Sequence, residues 1–372
     1  MRFNYPFSAL VGQAELQLGI ILNIINPKLG GLLIKGVKGS GKSTAISALN
    51  HVVPDLEVMK NCRFNCDPQK SELWCEECNA KYNETNQETE FKKMKIITIP
   101  LSITEDRLLG SINIETLLKS GKQHFMPGIL SQAHRQILYI DEVNLLPDHI
   151  VDDILDVSAL GWNTIERDGF SISHRSQFIM IGTMNPEEGE LRPQFLDRFP
   201  LSVQVDAMTD ESLRKEVIVR NLAFEDNPAD FIDQFRRETD HLKIQIDLAR
   251  SILGKVRINS QFYDLVVKLC ASQKVEGHRA DISIIKTAQT HASLELKEEV
   301  ELRHIRQAAK FVLKHRTRNG GFTKSLTEAE IDNYFDHLKS FSQDKNRIES
   351  QPKITKNISL FSQNDLIQSA KK

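Results

Sequence analysis

The chain reads Gly36-Val37-Lys38-Gly39-Ser40-Gly41-Lys42-Ser43 between an apolar run at residues 32–34 and a helical pattern over residues 44–53. This order fits the pattern G-x-x-x-x-G-K-[ST] placed between a strand and a helix. Glycines allow the backbone to curl so that its N–H groups face phosphate oxygens, and the helix N-terminus adds positive potential. A chance glycine-rich turn is the alternative, but the flanking strand and helix favour a phosphate-binding loop. The residues expected to contact a nucleotide and its ion are Gly36, Gly39, Gly41, Lys42, Ser43 and Thr44.

A second polar site follows the apolar strand predicted over residues 137–140, where Asp141 and Glu142 come next in the chain. Carboxylates at the carboxyl end of a parallel strand lie at the edge where ligands bind. We expect Asp141 to hold Mg²⁺ together with Ser43, and Glu142 to polarise the attacking water as general base. The alternative is an ordinary strand end with surface acids, and the phosphate-binding loop upstream weakens it.

Two further polar residues follow along the predicted sheet. Asn185 comes after the apolar run at residues 178–182 and is a candidate to orient the attacking water, with an exposed turn before Pro186 as the alternative. Arg198 lies just before the last predicted strand, where it is expected to be far from the phosphates of its own chain. It could instead reach the phosphates of a neighbouring copy and stabilise transition-state charge there. Arg192 is a second candidate, and a surface ion pair is the alternative for both arginines.

The spacing of apolar runs predicts an α/β fold followed by helices. Strands are expected at residues 32–34, 95–100, 137–140, 178–182 and 201–205, and their short apolar character favours a parallel sheet covered on both faces by helices. We predict an α/β nucleotide-binding domain over residues 1–206, an all-helical domain over 207–318, and a polar, partly disordered extension over 319–372. Helices are expected at residues 14–25, 212–222, 229–239, 242–252, 260–272, 282–297, 302–314 and 326–341.

Composition limits the classes of partner. The 372 residues include 48 Lys plus Arg and 50 Asp plus Glu, which gives a net charge of -2. A nearly balanced charge argues against nucleic acid or an anionic membrane as a partner. The chain has no apolar run near the roughly 20 residues that span a bilayer, and its N-terminus does not resemble a signal peptide. We therefore expect a cytoplasmic protein.

Four of the five cysteines are clustered. Cys62, Cys66, Cys75 and Cys78 lie in an irregular, polar stretch within residues 60–80. Four thiolates at this spacing can close on one tetrahedral ion, with Zn²⁺ as the default and an iron–sulfur cluster as an open alternative. Unliganded loop cysteines or a labile disulfide are the other interpretations. Cys270 falls in a helical apolar pattern and is expected to be a packed core residue.

These motifs, in this order, resemble those of the AAA+ ATPases. The strings ILYIDEVNLL at residues 137–146 and GTMNPEEGELRPQFLDRF at residues 182–199 are similar to the ATPase "I" subunit of magnesium chelatase, within the magnesium chelatase and MoxR-like branch. The resemblance extends from about residue 7 to about residue 318. It implies that Asn185 is the sensor-1 residue, that Arg198 is an arginine finger acting across a subunit interface, and that Arg279 is the sensor-2 arginine of a helical lid.

The same branch inserts hairpins into the AAA+ core. The resemblance places one near residues 120–128 and a second, before the sensor-1 strand, near residues 163–173, where Asp168-Gly169 is a strong hairpin signal. Both are candidate partner contacts, and plain surface hairpins are the alternative. The chain departs from the family pattern at Pro200, where a glycine is common, and in its extension beyond Gly320.

The resemblance implies a function. It indicates a ring, a hexamer in this family, that binds ATP and Mg²⁺ between subunits and drives Mg²⁺ insertion into protoporphyrin IX. The implied partners are a D subunit with an integrin-like domain and a porphyrin-binding H subunit. A MoxR-like chaperone ATPase that acts on another integrin-domain partner, or serves a chelatase for a different metal, has the same site residues and stays open. A DNA-dependent AAA+ motor is the other alternative, and the balanced charge weighs against it.

Overall fold

A computed structural model of the chain describes residues 3–83, 86–112, 125–167, 170–189, 191–316 and 325–342. Its strands are β1 Leu32–Gly36, β2 Asp55–Met59, β3 Thr89–Lys93, β4 Ile96–Ile99, β5 Gly110–Ile112, β6 Phe125–Pro127, β7 Ile137–Ile140, β8 Trp162–Arg167, β9 Phe170–Arg175, β10 Ile179–Met184 and β11 Leu201–Val205. Its α-helices are α1 Ala14–Ile25, α2 Lys42–Ala48, α3 Glu76–Lys81, α4 Glu105–Leu109, α5 Ile129–Gln132, α6 Asp148–Leu160, α7 Pro193–Leu196, α8 Glu211–Asp226, α9 Pro228–Gln234, α10 Arg236–Ile252, α11 Ser260–Ser272, α12 Arg279–Leu294, α13 Leu302–Leu313 and α14 Glu328–Ser342.

A five-stranded sheet in the order β11-β1-β10-β7-β4 forms the centre of the α/β domain, and all its strands are parallel. Alternate residues of β1 pack into two different hydrophobic clusters, with Leu32 and Ile34 in one and Leu33 in the other. Both faces of β1 are therefore buried, which explains why its first three residues are all apolar rather than alternating with polar residues. The predicted fold class, a parallel sheet flanked by helices with a helical domain after it, is confirmed.

The sheet brings the sequence motifs to one edge. The phosphate-loop candidate follows β1, Asp141 follows β7, and Asn185 follows β10. These three strands are adjacent in the sheet, with β10 paired to both β1 and β7. Since parallel strands end at the same edge, residues far apart in sequence are neighbours there.

The helices after β11 follow the predicted order with bounds shifted by up to four residues, except at one break. We predicted helices over residues 229–239 and 242–252, but the chain breaks earlier, at Phe235, and α10 then runs without interruption from Arg236 to Ile252. Phe235 leaves helical geometry where its ring packs 5.0 Å from the ring of Phe231 and under the Arg220 guanidinium, 5.1 Å from the ring centre. Apolar spacing does not reveal the contact with Arg220, which lies on a different helix.

The helix expected over residues 326–341 is present as α14 and packs on α13 through ion pairs. Arg306 contacts Asp332 and Asp336, and Lys310 contacts Glu328 and Asp332. Residues 317–324 and 343–372 of the predicted polar extension lie outside the described residues, and the domain boundaries at 206 and 318 stay predictions.

Three antiparallel strand pairs project from the core. β8 and β9 flank the Asp168-Gly169 turn signal, which itself lies outside the described residues. β5 pairs with β6 close to the predicted insertion at residues 120–128, of which residues 120–124 are also outside the described part of the chain. β2 pairs with β3 on either side of the cysteine-rich insert, and apolar spacing did not predict this pair.

Among the described helices, none combines the length and apolar character needed to cross a bilayer.

We expect Gly31→Ala to destabilise the α/β domain. Gly31 enters β1 with φ of +144°, and a Cβ there would lie 2.6 Å from the Met180 carbonyl oxygen of the neighbouring strand. The cost should be at least about 1 kcal/mol, which lowers the melting temperature by about 2–4 °C in a domain of this size. Gly254→Ala is the matched control, because a Cβ there meets no atom within 4 Å. Equal melting temperatures for the two variants would contradict this account of β1.

Candidate nucleotide-binding site

The predicted phosphate loop connects β1 to the N-terminus of α2. Gly39 and Gly41 have φ of 77° and 82°, and a Cβ on Gly39 would meet no atom within 4 Å, so the loop opens onto free space on that side. The Lys42 ammonium donates to the carbonyls of Gly36 and Val37, the latter at 2.8 Å. Burial lowers the pKa of Lys42, and the nearby Asp141 and Glu142 carboxylates oppose that shift. The loop therefore offers a glycine-lined space, a helix N-terminus and an ammonium group, which fits the phosphates of a nucleotide.

Gln13 supports this loop from outside the motif. Its side-chain Nε2 donates to the Ser40 carbonyl at 2.6 Å, and its side-chain oxygen Oε1 is buried without a hydrogen-bond partner among the described residues. Gln13 also lies within 3.0 Å of the position that a Cβ on Gly41 would take. Sequence reasoning missed Gln13, because a single glutamine before α1 has no distinguishing local pattern.

Asp141 is held by two hydroxyl groups at the end of β7. Tyr139 Oη and Thr183 Oγ1 each donate to Asp141 Oδ1 at 2.7 Å. The Thr183 hydroxyl also accepts a bond from the backbone N–H of Glu142 at 3.1 Å, where the chain turns with φ of 53°. Ser43 hydrogen-bonds to Tyr139, and burial raises the pKa of this tyrosine to about 12, so its hydroxyl stays protonated. The structure thus brings Ser43, Asp141 and Glu142 together as oxygen donors of the kind Mg²⁺ prefers.

Thr183 and Tyr139 were not predicted as site residues. Tyr139 lies inside an apolar strand, and Thr183 lies two residues before Asn185 in β10, fully buried. The only feature of the sequence that could have indicated them was a hydroxyl-bearing residue inside each of two otherwise apolar strands that end at the same edge of the sheet.

Asn185 lies at the end of β10 and is 3 % exposed. Its side-chain oxygen accepts from the backbone N–H of Glu187 at 3.2 Å. Nearby, Lys38 of the loop forms an ion pair with Glu188, whose second carboxylate oxygen is buried without a partner among the described residues. The segment after β10 therefore contacts the phosphate loop, and the pairing of β10 with β7 places Asn185 at the same sheet edge as Glu142.

Each of the three candidate arginines lies near an acidic residue of this chain. Arg198 forms an ion pair with Asp156 of α6, and Arg192 forms one with Asp148 at the start of the same helix. Arg279 is the first residue of α12, and its guanidinium lies 4.0 Å from the carboxylate of Asp197. Arg279 therefore lies close to the residue that precedes Arg198, a proximity that their separation in sequence did not predict.

The four clustered cysteines converge in the insert between β2 and β3. Their sulfur atoms all lie within 4.8 Å of one another, and those of Cys62 and Cys75 are 3.9 Å apart. Sulfurs bound to one tetrahedral Zn²⁺ are about 3.8 Å apart, given a Zn–S bond of about 2.3 Å. Backbone N–H groups of Phe64 and Cys75 donate to the sulfurs of Cys62 and Cys66, and hydrogen bonds from the Cys66 and Cys75 thiols lower the pKa of Cys62. The donor set fits one metal ion.

The insert is anchored to the amino end of β7. Arg135, at φ of 61°, donates to the carbonyls of Glu57 at 2.8 Å and Asn65 at 3.2 Å. The Asn65 amide donates in turn to the His134 carbonyl at 3.2 Å. The Phe64 ring packs 5.3 Å from that of His174 on β9. The cysteine insert therefore contacts both the sheet and the β8–β9 hairpin.

Comparisons with known proteins show the family of the chain. The family model "Magnesium chelatase, subunit ChlI" matches residues 8–194, and the "AAA lid domain" model matches residues 264–333. The magnesium-chelatase subunit ChlI homolog of Methanocaldococcus jannaschii is 43 % identical over 340 residues, which cover 91 % of this chain and 93 % of that protein. The magnesium-chelatase subunit ChlI of a Nostoc species is 42 % identical, with 85 % of each chain covered.

Solved structures give the same result. A chain from the complex between subunits BchI and BchD of magnesium chelatase is 34 % identical, with a TM-score of 0.50, and the match covers 89 % of this chain and 99 % of that one. A putative ATPase from Cytophaga hutchinsonii, 17 % identical with a TM-score of 0.54 and 92 % of each chain covered, shares the fold alone. With a parallel sheet, a phosphate loop and a lid in this order, the chain belongs to the magnesium chelatase subunit ChlI family and is an AAA+ ATPase.

Proposed function

We propose that the chain is the ATP-hydrolysing subunit of a ring that drives insertion of Mg²⁺ into protoporphyrin IX. The observation that carries this proposal is the convergence of Lys42, Ser43, Asp141, Glu142 and Asn185 at one sheet edge, in a chain of the ChlI family. In this proposal each nucleotide lies between two subunits, and six subunits close the ring.

Each site residue has one role in the proposed reaction. Lys42 contacts the terminal phosphates, while Ser43 and Asp141 hold Mg²⁺, which neutralises phosphate charge when bound. Glu142 accepts the proton of the attacking water, and Asn185 orients that water. Arg279, on the lid, contacts the terminal phosphate. Arg198 acts on the nucleotide of the neighbouring subunit, where it stabilises the charge of the transition state.

The proposed partners are a D-type subunit and a porphyrin-binding H-type subunit. The similar BchI chain belongs to a complex with BchD, which supports the D-type partner. A MoxR-like role would use the same ATP-site residues with a different partner. Reconstitution with candidate D and H subunits therefore separates the two, and porphyrin metallation that requires ATP is the expected result. ATP hydrolysis without metallation in the presence of both subunits would contradict the chelatase role.

Mixing two inactive variants should restore ATP hydrolysis. Arg198→Ala keeps its own Glu142 but lacks the finger, whereas Glu142→Gln keeps the finger but lacks the base. Each alone should hydrolyse ATP at least about a hundredfold more slowly than the unmodified chain. In mixed rings, an Arg198→Ala site facing a Glu142→Gln neighbour has both groups, so turnover should rise well above either variant.

The control for this mixture is Arg198→Ala mixed with an Arg198→Ala, Glu142→Gln double variant, in which no interface has both groups. Rates in the first mixture no higher than in the control would contradict action of Arg198 across the interface.

Removing the Thr183 hydroxyl should weaken the ion site. Thr183→Val keeps the shape of the buried side chain but removes the donor to Asp141 and the acceptor for the Glu142 N–H. We expect at least about a tenfold lower kcat and a higher Mg²⁺ concentration for half-maximal rate, because a buried hydrogen bond to a charged group contributes about 1.5–3 kcal/mol. Thr183→Ser restores the hydroxyl and should recover most of the activity. If the valine variant matched the serine variant, this role for Thr183 would be wrong.

We propose further that the four cysteines bind one structural Zn²⁺. With four thiolate ligands the ion has no open position, so it would stabilise the insert rather than take part in chemistry. Elemental measurement after reducing, anaerobic purification should find about one zinc per chain, and Cys75→Ser should lose most of it. Cys270→Ala is the matched control, because Cys270 is a buried lid residue and its loss should leave zinc unchanged.

Iron with matching sulfide in place of zinc would keep the site but assign it to a cluster. Equal zinc in Cys75→Ser and Cys270→Ala would contradict the four-cysteine site.

A further inference from the structure

Two consecutive buried residues follow the end of α13 and contact the segment that bears Arg198. Arg316 is 1 % exposed and His315 is 2 % exposed. Neither belongs to a motif of the chain, and neither is used in the reaction proposed above. A buried guanidinium is costly unless it is paired, so its partner indicates why it is there.

The partner of Arg316 is Asp197, the residue before Arg198. Arg316 Nη1 donates to the backbone carbonyl of Asp197 at 3.1 Å and to its carboxylate at 2.5 Å. The Nε atom is buried without a hydrogen-bond partner among the described residues. Asp197 is thus the acceptor that stabilises this charge, and the bond to the carbonyl holds the backbone on the amino side of Arg198.

The partner of His315 is Phe199, the residue after Arg198. His315 Nε2 lies 2.7 Å from the Phe199 carbonyl, and burial lowers the pKa of this histidine to about 3, so the imidazole is neutral near pH 7. A carbonyl only accepts, so the single N–H of the ring must be on Nε2. This bond holds the backbone on the carboxyl side of Arg198.

The two bonds connect the lid to Arg198 from both sides. The same Asp197 carboxylate also faces Arg279, at 4.0 Å, from the start of α12. A movement of the lid helices relative to the sheet would therefore act on Asp197 through two arginines and on Phe199 through one histidine.

We propose that Arg316 and His315 are positioning residues that set the orientation of Arg198, so that the lid of one subunit controls hydrolysis in the next. This inference rests on the proposed action of Arg198 across the interface. A ligand that moves the lid through Arg279 would thereby change the orientation of Arg198 at the neighbouring site. Such coupling would link hydrolysis in one subunit to hydrolysis in the next around a ring.

The test uses the complementation assay with Arg316→Met, which removes the charge but keeps an unbranched side chain. Its Lys42, Glu142 and Asn185 are unchanged and its finger is displaced, so alone it should hydrolyse ATP at least about tenfold more slowly, given the cost of small misplacements. Mixed with Glu142→Gln, which supplies a well-placed finger, it should recover turnover as Arg198→Ala does. Nucleotide affinity in the absence of hydrolysis should match that of the unmodified chain.

A matched control is Arg306→Met, which removes another paired lid arginine, one whose partners lie on α14. It should keep turnover when alone. His315→Leu removes the bond to Phe199 and should behave like Arg316→Met, whereas His315→Gln keeps a donor and should retain most activity. If Arg316→Met does not fold, the histidine pair decides the question in the same assay.

The outcomes distinguish this inference from the proposal on which it rests. If Arg198→Ala with Glu142→Gln recovers turnover and Arg316→Met with Glu142→Gln does not, Arg316 acts on its own subunit and the inference is wrong. If neither mixture recovers turnover, the proposed action of Arg198 across the interface is wrong, and the inference that rests on it is wrong as well. An Arg198→Ala, Arg316→Met double variant no slower than Arg198→Ala would support the inference, because a residue that acts only through Arg198 has no effect without it.

Discussion

The burial of both faces of the five-stranded sheet is the constraint on which the rest of the structure depends. Side chains along β1, β7 and β10 are mostly apolar because they pack against hydrophobic residues on either side. The charged groups Asp141 and Glu142 lie where β7 ends. Since the strands are parallel, their carboxyl ends coincide, and the groups proposed to bind phosphate and Mg²⁺ lie together there although they come from separate parts of the sequence.

At this edge, hydroxyl groups from two strands donate hydrogen bonds to Asp141. Tyr139 and Thr183 saturate Asp141 Oδ1 from two neighbouring strands, and this leaves the second carboxylate oxygen for an ion. Thr183 connects that carboxylate to the backbone of Glu142, so the ion site and the candidate base are not independent. Pre-set donors of this kind limit the rearrangement needed when charge develops during reaction.

The predictable and unpredictable parts of the structure differ in the range of the interactions that determine them. The strands at residues 137–140 and 201–205 have the bounds that their apolar runs indicate, because burial on both faces leaves a local pattern. Local patterns in the sequence predicted the phosphate loop, the two acids and Arg198, and the family resemblance added Arg279. Gln13 and Arg316 were not predictable, because each depends on a partner brought close only by the fold, Ser40 in one case and Asp197 in the other. The helix break at Phe235 has the same origin.

The pairing of β2 with β3 determines how the cysteine insert is joined to the rest of the domain. Met59 pairs with Thr89, so residues 60–88 form an insertion whose two ends lie next to each other. Its anchoring contacts lie before β7, at the end of the sheet remote from the phosphate loop. A segment joined in this way is modular. Evolution could lengthen, shorten or exchange it without altering the register of the central sheet, and so vary the surface offered to other proteins while the ATP chemistry stays constant.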